Sequence, residues 1–96
     1  MNIEAMKETI QTALDMANAV MNSMDCESAM DTRECYKVYD EVKADFDKAW
    51  DALHKAAYAT LILDEFWPTV DQTMLDLSER WQWWDDECHY WWQCDW

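Results

Sequence analysis

The sequence predicts an all-α protein, an antiparallel three-helix bundle with a long central helix, and three observations carry that prediction. Apolar residues recur at alternating steps of three and four along three separate tracts, a spacing that lines one side of a helix and that strand alternation would not produce. The 96 residues contain no glycine, which excludes P-loops, GxGxxG turns and most tight hairpins, since those need positive φ without a Cβ clash. The single proline, Pro68, falls between the second and third tracts.

The first tract runs through Ile3, Met6, Ile10, Ala13, Ala17, Val20 and Met24, with Leu14 and Met21 widening the stripe. It predicts a helix over residues 3–24 with Asn2 as its N-cap. The polar stretch 22–28 interrupts the pattern, and Ser28 or Asp31 starts the next helix, Asp31 having Glu34 three residues on. The second tract passes through Cys35, Tyr39, Val42, Phe46, Ala49, Leu53, Ala56, Thr60 and Leu63 and predicts a helix over 29–65. Pro68 biases Trp67 away from αR, so that helix ends near residues 63–66. Thr69 followed by Gln72 has the form of a capping box for a third helix over 69–94, whose stripe is Val70, Met74, Leu77, Trp81, Trp84, Cys88 and Trp91, with Trp92 beside it. Short connections make neighbouring helices antiparallel.

Residues 1–96 form one domain with one core, which would bury roughly 60–70% of the unfolded surface. At 1.5 Å per residue the second helix would be roughly 50 Å long and the first about 33 Å. Tyr58, Ile62 and Phe66 lie off the heptad stripe of that long helix. They either pack under the Trp67-Pro68 turn or remain available to a partner.

Charge narrows the functional classes. With 21 acidic and 7 basic side chains the net charge is −14, which argues against direct binding to nucleic acid or an anionic membrane. A hydrophobic fraction of 51% argues against disorder even at this charge. The uncharged runs 16–24 and 56–63 are far short of the roughly 20 apolar residues that span a bilayer. The start of the chain is amphipathic and unlike a signal peptide, so a cytoplasmic protein with reduced thiols is expected.

The charge is unevenly placed. Residues 1–55 hold 12 acids and 6 bases, and Asp51 with Lys55 forms a favourable i,i+4 pair. Residues 56–96 hold 9 acids and one base, Arg80. Asp64, Glu65 and Asp95 are expected near helix C-termini, where the macrodipole disfavours anions, so stability does not explain this half. On a wheel of the third helix, Trp83 and Tyr90 point away from the core stripe and are flanked by Asp76, Glu79, Asp86 and Glu87. Aromatic anchors inside a charged rim suit a docking surface for an oppositely charged protein. Asp40, Glu41, Asp47 and Asp51 form a second acidic strip on the middle helix.

Other chemistries find less support. Cys26 and Cys35 are nine apart and Cys88 and Cys94 six apart, with no CxxC or HxxxH, so no metal or cofactor is expected. Cys35 and Cys88 fall on core stripes and read as buried thiols. Asp85 and His89 can pair at i,i+4, and His54 lies one turn from Trp50 and Tyr58, but no nucleophile–base pair or oxyanion nest accompanies them. An enzyme is not expected.

Nine acids over residues 64–95, a helical length of roughly 48 Å, give about one charge per 5 Å, against one per about 3.4 Å on a DNA strand. By its small size, its net −14, the Asp85-Asp86-Glu87 run and its aromatic anchors among acids, the chain resembles small acidic phage-encoded inhibitors: DNA mimics, anti-restriction proteins and anti-CRISPR proteins. The resemblance is one of composition, without a shared motif. It implies a partner that is a basic nucleic-acid-binding protein or ribonucleoprotein complex, blocked at its DNA- or RNA-binding surface. The abundance of tryptophan departs from that pattern. The alternative is an assembly module that forms a homodimer through the middle helix and the Trp-rich C-terminal helix.

Overall fold

A computed structural model describes residues 2–24 and 37–94, and among these every regular element is helical. Helix α1 spans Ile3–Met24, α2 spans Tyr39–Ala59, and α3 spans Trp67–Cys94, with a 3-10 turn at Asp64–Phe66 leading into α3. The described residues fill an envelope of 53 × 20 × 19 Å, the proportions of a slender helical bundle.

Helix α1 forms where its spacing and cap predict. Asn2 Oδ1 accepts a hydrogen bond from the Glu4 amide at 3.0 Å, satisfying one of the donors left over at a helix start. Met6, Ile10, Ala13, Ala17, Val20 and Met24 are all buried, while Ile3 at the open end is exposed. On α2 the buried positions are Val42, Ala49, Leu53 and Ala56. Ala13, Ala17, Ala49 and Ala56 are completely buried. Four methyl side chains in the core allow helix axes to approach closely, and α1 against α2 is the most extensive helix pairing.

The middle of the chain departs from expectation. Among the described residues α3 is the longest helix: at 1.5 Å per residue, α1 and α2 are each about 32 Å long and α3 about 42 Å. The start expected at residue 29, with Ser28 or Asp31 as cap, lies outside the described residues, as do Cys26, Cys35 and Asp95 and the side chains of Trp91 and Cys94. At its other end α2 stops at Ala59 rather than near residue 65. Thr60 folds its hydroxyl back to donate to the Ala57 carbonyl at 2.6 Å. The Leu61 and Ile62 amides then bond three residues back, to Tyr58 and Ala59, the tighter winding with which many helices run out. Leu63, at φ −100° and ψ 64°, breaks the helical path. The break lets Thr60 become buried and Leu63 and Phe66 pack onto the core. Phe66 is therefore half-buried against the core rather than spare surface.

Pro68 opens α3 instead of ending α2. Trp67 is helical, at φ −57° and ψ −46°, against the usual pre-proline bias. Pro68 sits in the first helical turn, where a missing N–H breaks no intrahelical bond. The expected Thr69–Gln72 capping box does not form, because both residues lie within the helix and Gln72 Nε2 donates to Asp76 Oδ1 at 2.9 Å. This relocation also changes the electrostatics of Asp64 and Glu65. They precede the N-terminus of α3, where the macrodipole favours anions, and so are better tolerated than a long α2 would imply.

On α3 the buried residues are Val70, Leu77, Trp84 and Cys88, with Met74 and Trp81 half-buried against them. Trp92 is not part of this stripe; it is 49% exposed. No helix among the described residues is long and apolar enough to cross a membrane.

Candidate interaction surface

The surface is positioned by a line of aromatic rings between α2 and α3. Trp50 stacks on Phe46 (centroids 5.8 Å apart), and Phe46 stacks on Trp81 at 4.4 Å. Trp81 lies 5.8 Å from both Trp84 and Tyr39, and Tyr39 stacks nearly parallel on Trp84. His54 makes a T-shaped contact with Trp50 at one end, and His89 makes one with Tyr39 at the other. Contacts thus move back along α3 as they move forward along α2: Tyr39 meets residues 81–89, whereas Phe46 meets Trp81. Offset-stacked and edge-on rings contribute about 0.5–1.5 kcal/mol per pair beyond their burial. This line fixes the rotation of α3, and hence which of its side chains face outward.

Trp84 anchors the line from inside. Its ring is 1% exposed, yet its Nε1–H has no hydrogen-bond partner. An orphaned buried donor costs about 1–3 kcal/mol, which the burial of a large ring offsets.

With α3 so oriented, Trp83 and Tyr90 face out, at 51% and 57% exposure. Seven residues apart, they lie about 20° from each other around the helix, two turns apart along it. Asp76, Glu79 and Asp86 are exposed as expected, whereas Glu87 is half-buried. Leu75 is a further exposed apolar residue, eight before Trp83 and so on the same outward side. Asp76 and Glu79 also line a polar groove with Asn18, Met21, Asn22 and Arg80, so this end of the rim adjoins α1.

The second strip, on α2, is exposed at Asp40, Glu41, Asp47 and Asp51. Two of these acids have cations on their own helix: Asp51 pairs with Lys55 at 3.2 Å, and Asp47 approaches Lys43 at 4.0 Å. Both pairs are solvated, so each contributes only about 0.3–0.5 kcal/mol and leaves its carboxylate readily exchanged to a partner.

One further feature is beyond sequence reasoning because its parts are distant in the chain. Tyr39 donates its phenol to Asp85 Oδ1 at 2.6 Å, bridging 46 residues. Asp85 and His89 do approach, with Nδ1 3.5 Å from Oδ1, but the closer partner of Nδ1 is the Asp85 backbone carbonyl at 2.8 Å. Beside them Tyr39, Asp40, Cys88, His89 and Trp92 line a pocket of about 300 Å³. Cys88 is buried there. Among the described residues no group of three or more His, Cys, Asp or Glu side chains is arranged to hold a metal ion.

Burial, then the hydrogen bond to Asp85, push the Tyr39 phenol up to about 12 from its ordinary 10.0. A raised folded-state value means the native protein holds this proton more tightly than the unfolded chain. The contribution is therefore fully present below pH 10 and is lost as pH climbs from 10 to 12. Tyr39→Phe is expected to be about 1 kcal/mol less stable at neutral pH, allowing for partial solvent access, with the gap to wild type closing across that window. Urea unfolding at stepped pH checks this.

In comparisons with protein-family models, curated proteins and solved structures, nothing matches this chain.

Proposed function

We propose that this chain is an acidic binding protein that inhibits a nucleic-acid-binding enzyme or complex, of the kind blocked by anti-restriction and anti-CRISPR proteins. It acts by occupying the partner's basic DNA- or RNA-binding surface and works by binding rather than catalysis, in the cytoplasm where such complexes operate. The observation that carries this reading is the outward side of α3, where Trp83 and Tyr90 stand half-exposed among Asp76, Glu79 and Asp86. Aromatic side chains supply the desolvated centre of an interface, and carboxylates around them steer a cationic partner and suppress anionic ones. Glu87 contributes from a half-buried position, and Asp40, Glu41, Asp47 and Asp51 extend the negative field along α2. The test is affinity capture from a bacterial lysate on the immobilised chain. The expected result is retention of a nucleic-acid-binding protein or ribonucleoprotein that is released by raised salt and by added DNA. Retention unaffected by either would contradict the reading.

A second reading has its own observation. Tyr58 and Leu61 are 75% and 80% exposed, and Ile62 and Trp67 are also exposed, which gathers apolar side chains at the α2–α3 connection. Such a cluster suits self-association. Sedimentation of the isolated chain separates the two: a stable dimer lost in Leu61→Asp supports an assembly module, and a monomer supports the inhibitor.

A further inference from the structure

We propose that the pocket between the start of α2 and the last turns of α3 seats an arginine side chain of the partner, its guanidinium held by Tyr39, His89 and Trp92 and paired with Asp40. The inference deepens the reading of the chain as a binder of a basic protein, and rests on it.

The chemistry of the lining selects the ligand. Among the described lining residues, Tyr39, His89 and Trp92 carry aromatic rings and Asp40 an exposed carboxylate. Ring faces attract cations through their quadrupole, and a carboxylate at the same site adds direct charge pairing. Asp85 stands immediately behind the wall, bonded to the Tyr39 hydroxyl, and brings a second negative charge. The Asp85 carbonyl only accepts hydrogen bonds, so His89 Nδ1, 2.8 Å away, carries the proton.

Arginine satisfies this lining better than the alternatives. Its planar guanidinium stacks on aromatic rings while its N–H fork reaches carboxylates, and it is more weakly hydrated than an ammonium. An anion would be repelled by Asp40, and an apolar side chain would leave polar groups desolvated without partners. A volume of about 300 Å³ is at the lower end for ligand sites, which suits one side chain rather than a cofactor. The walls are set in advance, since Tyr39 is stacked on Trp84 and Cys88 is buried, and that reduces the ordering cost of binding.

The test is a titration of the isotope-labelled full chain with N-acetyl-arginine amide, then with N-acetyl-lysine amide, followed by amide and indole NMR. The expected result is saturable shifts centred on Tyr39, Asp40, His89 and Trp92, with arginine favoured over lysine. Asp40→Asn and Trp92→Ala should each weaken binding about tenfold. Asp40→Asn is nearly isosteric at an exposed position, so it carries the test even if Trp92→Ala disturbs the fold. Shifts spread evenly over the exposed acids of α3, a preference for lysine, or no shifts at all would overturn the pocket assignment. Those outcomes leave salt- and DNA-sensitive partner capture intact; loss of that capture with pocket binding retained would count against the functional reading instead.

Discussion

Trp84→Ala is expected to destabilise the protein by about 3–5 kcal/mol, the range for emptying a large aromatic site in a packed core. Against the 5–15 kcal/mol that holds a typical domain together, that is a large fraction of the whole. A domain of this size would lose on the order of 15–30 °C in melting temperature. The reason is specific to this residue. Trp84 is 1% exposed, stacks on Tyr39 and lies beside Trp81, so its removal leaves a void and also unseats the contacts that orient α3. Trp84→Phe should cost much less, because a ring remains and the partnerless Nε1–H disappears with the indole. Urea unfolding of the two variants checks both the size and the order of the effects.

The double variant Trp83→Ala, Tyr90→Ala is expected to do the reverse: leave the fold in place and remove partner binding. Both side chains are more than half exposed, and surface substitutions usually change stability by about 0.5 kcal/mol or less. Aromatic hot spots each contribute about 2 kcal/mol or more to an interface, so losing two weakens binding on the order of a thousandfold. Replacing Asp76, Glu79 and Asp86 by their amides should act differently. It should slow association and flatten the salt dependence while changing dissociation little. Binding kinetics at two salt concentrations separate the anchor effect from the steering effect. Wild-type affinity in the double variant would remove Trp83 and Tyr90 from the interface.

The sequence was most informative where one local rule decided the outcome. The α1 bounds and the Asn2 cap follow from an uninterrupted stripe and one polar residue ahead of it. The outward position of Trp83 and Tyr90 follows from helical phase relative to Leu77, Trp84 and Cys88. Leu75 shares that outward side, but a single exposed leucine is ordinary apolar surface and does not by itself mark a docking site. The connection between α2 and α3 was misplaced because two rules competed. Pro68 signals both a helix end before it and a first turn around it, and the burial of Thr60, Leu63 and Phe66 decided for the second. Trp92 departs for a different reason: it lines the pocket with Tyr39 and Asp40 at the start of α2 and stays 49% exposed there. The pocket was illegible in principle, since it needs Tyr39 to meet residues 46 and more positions away, and that pairing depends on the rotation of α3 against α2.

The central claim is that the acidic, aromatic side of α3 and nucleic acid compete for one surface on the partner. The direct measurement is a titration of the purified partner, loaded with its own DNA or RNA, with increasing amounts of this chain, followed by the mass of each complex. Mutual exclusion is the expected result: nucleic acid leaves as the chain binds, and no species contains all three components. A stable ternary complex of partner, nucleic acid and this chain would contradict it.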